Sequence, residues 1–222
     1  MKNQDKSILM ARFSIFAVIA YHVLMTGLIF LRPDLDPYWH TISEWAIGPY
    51  GWIMSLAFIM SSLSYGILLF NIMPHIKGFF GKVGLLILFI CFVGTFCTGV
   101  FTTDPLTTPP DKISTTGLIH MFSAMVSLLL FPLAVLLINL SIAFKNKLWA
   151  GEKKILLWSS VIPLVGLIGF ITHLSIYVIP LGENAYGPDV PQGYPVRLLF
   201  LTYMIWLIII NTRIIKIQQN NQ

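Results

Sequence analysis

Six long apolar runs, separated by short polar stretches, make up most of the chain. They span about Ile8 to Leu31, Tyr50 to Met73, Val83 to Phe101, Ile113 to Ala143, Ile155 to Ile179 and Val196 to Ile215. Each approaches or exceeds the roughly 20 apolar residues a helix needs to cross the hydrocarbon core of a bilayer. Within that core every backbone polar group must find its partner inside the segment, which makes the α-helix the form an isolated apolar run adopts. The pattern predicts an all-α fold: a six-transmembrane-helix bundle forming one domain over residues 1–222. The first run reads as a span and not as a cleaved signal, because its apolar core is too long and no small-residue cleavage site follows it.

Composition agrees with this pattern. The chain is 56% hydrophobic and 10% charged, against about 25% charged in an ordinary soluble domain. A water-soluble fold of this size needs more polar surface than that. The net charge of +5 does not indicate a nucleic-acid partner, since the basic residues lie at the ends of apolar runs and form no patch. Cys91 and Cys97 lie six residues apart in one run. They face different sides of a helix, so core packing fits them better than a disulfide.

The basic residues also orient the bundle. Lys2, Lys6, Arg12, Lys77, Lys82, Lys145, Lys147, Lys153, Lys154, Arg213 and Lys216 fall on one side, and only Arg32, Lys112 and Arg197 on the other, eleven against three. The positive-inside rule then predicts cytoplasmic N and C termini in a multi-pass protein of the cell membrane. Acidic residues divide the other way. Asp34, Asp36, Glu44, Asp104, Asp111, Glu183 and Asp189 lie outside, and Asp5 and Glu152 inside. Acids barely affect topology, so the outer connections, which are also longer and rich in proline and aromatics, invite a functional explanation.

The first outer connection, Arg32 to Pro49, carries the densest chemistry. Asp36-Pro37 reads as a helix start and Gly48-Pro49 as its end, predicting a short helix of about three turns. Tyr38, Trp39, Ile42, Trp45 and Ala46 would form an apolar side suited to the membrane interface. His40, Ser43, Glu44 and Ile47 would share a stripe facing the bundle. Asp104 at the outer end of the third helix, His120 in the fourth and His173 in the fifth fall near the same level, the two histidines roughly 8–10 Å below the outer boundary.

Ionisable groups at that depth are costly and usually turn inward. One expectation therefore joins them: His40, Asp104, His120 and His173 as ligands of a metal such as zinc with an open position for water, Glu44 as general base and Ser43 as hydrogen-bonding support. The chemistry would be metal-assisted hydrolysis or acyl transfer on a lipid-like substrate. The alternative for scattered histidines is hydrogen bonding to neighbouring carbonyls, and no local metal motif such as His-Glu-x-x-His is present. His22, about 15 Å from the outer end, lies too deep for that cluster. Its depth mismatch with His120 and His173 argues against a two-histidine haem. His75, in a turn beside Pro74 and Lys77, reads as a surface residue, and Pro163 is expected to kink the fifth helix.

The run His40-Thr41-Ile42-Ser43-Glu44-Trp45-Ala46-Ile47-Gly48-Pro49-Tyr50-Gly51-Trp52, together with Phe101-Thr102-Thr103-Asp104-Pro105 and Gly117-Leu118-Ile119-His120, resembles the domain-of-unknown-function family nine-nine-eight, prokaryotic six-helix membrane proteins. The resemblance covers nearly the whole chain and implies the same six-helix fold, with motif blocks on His40, Ser43, Glu44, Asp104 and His120. By analogy, the arrangement is also similar to zinc hydrolases of the ceramidase and adiponectin-receptor type. Those have seven helices and a His-x-x-x-His pair in the last, whereas the sixth helix here holds no histidine. Three functional classes stay open at this point: a membrane enzyme, a small-molecule or ion transporter or binding protein, and a structural or assembly partner of another membrane protein.

Overall fold

The computed structural model describes residues 3–220, without the side chains of Glu183 and Asn184. Lys2, of the basic side, and the side chain of Glu183, of the acidic side, lie outside the described residues. Six helices are long and apolar enough to cross a membrane: α1 (Asn3–Leu31), α2 (Gly51–Ile72), α3 (Gly78–Val100), α4 (Thr115–Lys145), α5 (Lys153–His173) and α6 (Gly193–Asn220). Each packs against its neighbours in sequence, and α6 closes on α1, so the helices form an up-and-down ring. One end of the ring bears the lysine-rich connections and is called the basic end. The other bears the connections 32–50, 101–114 and 174–192 and is called the acidic end.

The middle of the ring is filled by aromatic rings from alternate helices. Tyr65 of α2, Phe131 of α4 and Tyr203 of α6 stack in series, with centroids 4.8 Å and 4.5 Å apart, and Trp206 meets Phe131 edge-on at 5.6 Å. All four side chains are buried. In lipid there is little hydrophobic drive between helices, so close packing and interhelical hydrogen bonds must hold the ring. Gly66, Gly84, Gly94 and Gly99 mark the close approaches of α3 to α2 and α4, where an added Cβ would press on a facing helix. Buried hydrogen bonds cross three of the four remaining seams: Ser14 donates to the Ser64 carbonyl (3.0 Å), Asn211 to Ser14 (2.9 Å) and Asn139 to Ser160 (2.9 Å).

Several details differ from the sequence expectations. The first acidic-end connection holds a five-residue 3-10 segment, Ile42–Ala46, in place of a three-turn helix. Asp36-Pro37 instead starts a turn in which His40 N–H donates to the Asp36 carbonyl. The segment does not present tryptophan to the interface, because Ile42 and Trp45 are buried with Tyr21, Met25, Met54 and Phe58 of α1 and α2. His75 is buried edge-on to Trp149 at 5.4 Å, since the short helix Lys147–Glu152 folds back over the turn. Beyond Pro163, α5 changes at its acidic end into a π-turn, Leu174–Val178. Cys91 and Cys97 are free, Cys91 buried.

Candidate functional site

Two arginines shape the acidic end. Arg32, just past α1, donates to the carbonyls of Ile47 (2.7 Å) and Pro49 (3.0 Å) and pairs with Asp34 (2.7 Å). The guanidinium hydrogen bonds hold the exposed Asp34 carboxyl below the usual carboxylate range. Arg197, in the first turns of α6, donates to the carbonyls of Pro37 (3.2 Å), His40 (3.1 Å) and Gly193 (2.7 Å) and lies 4.2 Å from the ring centre of Trp45. One arginine therefore fixes the front of the first connection and the other its rear. The 3-10 segment is suspended between them, and its far side turns Ser43 and Glu44 toward α3 and α4.

Ser43 meets His120 there. The Nδ1 of His120 lies 2.8 Å from the Phe101 carbonyl, and its Nε2 lies 2.8 Å from Ser43 Oγ. A carbonyl can only accept, so Nδ1 carries the proton. In the neutral ring Nε2 then holds the lone pair and accepts from the Ser43 hydroxyl. His120 is buried, with Phe58 edge-on at 5.9 Å, whereas Ser43 stays partly open. This is the geometry of a hydroxyl nucleophile and its base, the base oriented by a third group. The orienting group is a backbone carbonyl and not a carboxylate.

The carboxylates serve the scaffold. Asp104 Oδ2 accepts from Ser114 N–H (2.8 Å) and Oγ–H (2.9 Å), and Ser114 Oγ accepts from Gly117 N–H (3.0 Å), capping α4. That carboxylate lies at a helix N-terminus, where negative charge is favoured. A Cβ at Gly117 would overlap Asp104 Oδ2, so glycine is what lets the acid tuck in one turn before His120. The buried Glu44 accepts from Thr41 N–H (3.0 Å) and Leu106 N–H (3.4 Å), tying the first and second acidic-end connections together. With both oxygens engaged by backbone, Glu44 matches a structural strut better than the general base expected from sequence.

The expected metal centre does not assemble. Among the described residues no three His, Cys, Asp or Glu side chains are grouped to hold a metal ion. His40 lies over Trp39, with ring centroids 3.5 Å apart, and its Nδ1 donates to the Asp36 carbonyl. His173 Nε2 donates to the Pro191 carbonyl at 2.7 Å, beside Tyr177. His22 donates through Nδ1 to the Val18 carbonyl within its own helix. Local carbonyls thus take up these rings, and of the four expected ligands only Asp104 and His120 share a cavity.

That cavity is a vestibule of about 690 Å³ between the first and second acidic-end connections, bordered by Ser43, Glu44, Asp104, His120, Met121 and Tyr186. A second, smaller cavity of about 80 Å³ extends into the ring and is mainly apolar, with Phe58, Tyr65, Leu128 and Phe200 around it. Ser43, Thr41 and Ala124 border both. Arg197, Thr41 and Tyr186 were not among the residues expected from sequence. Arg197, at the start of an otherwise apolar run, is the one of these three that the sequence marks, and by charge count alone it reads as a flanking residue.

Fold and site define a multi-pass membrane protein with a Ser–His pair beneath a folded cap. Residues 15–213 match the family described as Protein of unknown function (DUF998), and the chain belongs to that family. No curated protein and no solved structure matches it significantly.

Proposed function

We propose that this protein is a membrane-embedded serine acyl hydrolase or acyltransferase. Its nucleophile is Ser43 and its general base His120. The observation that carries this reading is the 2.8 Å contact between Ser43 Oγ and His120 Nε2, with the Nδ1 proton held by the Phe101 carbonyl. In the first step Ser43 Oγ bonds to the acyl carbon while its proton passes to His120 Nε2. Collapse of the tetrahedral adduct expels the leaving alcohol, which takes that proton from the imidazolium. Water, or a second hydroxyl, then attacks the acyl-serine by the same route and restores both groups.

The two cavities support a lipid-like substrate. Ser43 stands where the apolar cavity meets the vestibule, so an acyl chain in the first and a polar leaving group in the second would bring the scissile carbonyl to the hydroxyl. The lysine and arginine asymmetry favours cytoplasmic termini and an extracytoplasmic site in the cell membrane. The stack of Tyr65, Phe131 and Tyr203 beneath the cavity fills the ring centre, which weighs against a transport path.

The test is labelling of the purified, folded protein with a fluorophosphonate probe, followed by peptide mapping. The expected result is modification of Ser43, lost in Ser43→Ala and strongly slowed in His120→Ala. Folded wild-type protein that takes no label, or label retained in Ser43→Ala, would overturn the proposal.

A further inference from the structure

We infer that the groove between the start of α3 and the end of α4, at the basic end, binds an anionic glycerophospholipid. It is independent of the Ser43–His120 site and lies at the opposite end of the ring. The groove has a volume of about 340 Å³ and is lined by Phe80, Gly81, Leu137, Leu140 and Phe144, with Lys77 and Lys145 at its mouth. Leu137, Leu140 and Phe144 follow each other at helical spacing along one face of α4. Leu137 lies eight residues from Lys145, or roughly 12 Å along the helix, so the ammonium groups stand at headgroup level while the leucines reach acyl level.

The floor is rigid. Ser141 Oγ donates to the Lys77 carbonyl (2.7 Å) and accepts from Lys77 N–H (3.2 Å), and a Cβ at Gly81 would run into Ser141. Gly78 has φ 76°, and a Cβ there would stand 2.5 Å from Lys145 Nζ. The Lys145 side chain therefore lies across the start of α3, next to Lys77.

Neither lysine forms an ion pair among the described residues. The ion pairs are Arg32–Asp34, Arg213–Glu152 and Lys216–Glu152. Glu152 is thus already engaged at this end. Two uncompensated ammonium groups over an exposed aromatic and aliphatic groove fit a phosphodiester head with its chains running toward the membrane centre, and basic pockets between transmembrane helices are suited to such heads. A zwitterionic lipid would bring its own cation to the same place and gain less.

Native mass spectrometry of the full chain in detergent, titrated with phosphatidylglycerol or with phosphatidylcholine of the same acyl chains, tests this. Phosphatidylglycerol is expected to bind at least about tenfold more tightly. The double substitution Lys77→Gln/Lys145→Gln should abolish that preference, and the charge-matched Lys6→Gln/Lys154→Gln should keep it. Leu140→Trp, which fills the groove and leaves both lysines, should weaken binding of phosphatidylglycerol. Equal binding of the two lipids by the wild type, equal losses in the two charge pairs, or unchanged binding in Leu140→Trp would each overturn the inference.

Discussion

Ser43 Oγ and His120 Nε2 stand 2.8 Å apart although 77 residues separate them in the chain. The contact exists because one group rides on a cap segment and the other on the first turns of α4. A serine on a loop would otherwise be solvated, and a buried neutral histidine that gives its one N–H to a carbonyl needs a donor for its other nitrogen, which the Ser43 hydroxyl supplies. If the pair is catalytic, His120→Ala should lower the labelling or turnover rate by about 10²–10⁴-fold, the usual contribution of a positioned general base. Ser43→Ala should remove labelling altogether, and detergent-phase thermal stability should change far less than the rate in both variants.

Glu44 separates the two ways of assigning a base. Its oxygens accept from the Thr41 and Leu106 amides, which an amide oxygen can also do in part. Glu44→Gln should therefore keep most of the rate, and Glu44→Ala should cost about 1.5–3 kcal/mol of stability, the range for hydrogen bonds to a charged group. Unfolding curves beside labelling rates check this. A Glu44→Gln protein that is stable yet as slow as His120→Ala would return the role of base to Glu44.

The six spans were legible because bilayer thickness fixes a length and an apolar composition that no other element needs. Asp104 and His120 stand out in the sequence because polar groups at a helix end contrast with their apolar neighbours, but the sequence does not show that Asp104 caps α4. The Ser43–His120 pairing was not legible. It depends on Arg32 and Arg197 gripping carbonyls of the first connection, and backbone acceptors carry no sequence signal. His40 differs from expectation for a related reason. The spacing puts it on a helical stripe with Glu44, but the 3-10 segment begins only at Ile42, so that relation of one turn never forms. His75 lies buried, where the turn beside Pro74 predicts exposure, because nothing in that turn reveals that Trp149 closes over it.

Arg32 and Asp34 give the acidic end a pH dependence of known sign. The Arg32 hydrogen bonds lower the Asp34 pKa in the folded state, so this contribution is present above the unfolded carboxyl value of about 3.9 and is lost as pH falls through the lower folded value. Asp34→Asn should lower stability slightly at neutral pH, the side chain being exposed, and converge with the wild type as pH falls below about 4, so that its profile is flatter there. Arg32→Ala should be destabilising at every pH, since it also strips the Ile47 and Pro49 carbonyls of their donor. Thermal melts of the three proteins between pH 3 and pH 7 would show whether the two effects separate.

Tyr203 and Pro132 are coupled through a third residue. Pro132 lies inside α4 and has no N–H to give to the carbonyl four residues back, that of Leu128. Tyr203 of α6 supplies the missing donor, its hydroxyl 2.6 Å from that carbonyl. Without it a carbonyl deep among Tyr65, Phe131 and Trp206 would be left unpaired. Tyr203→Phe should therefore cost about 1–2 kcal/mol, with little effect on ring packing because the aromatic body remains. In a Pro132→Ala background the helix regains its own N–H donor, and the same Tyr203→Phe change should cost markedly less. A double-mutant cycle measured by unfolding in mixed micelles reads this coupling directly. Equal costs in the two backgrounds would mean that Tyr203 contributes through its ring alone and that the Leu128 carbonyl finds another donor.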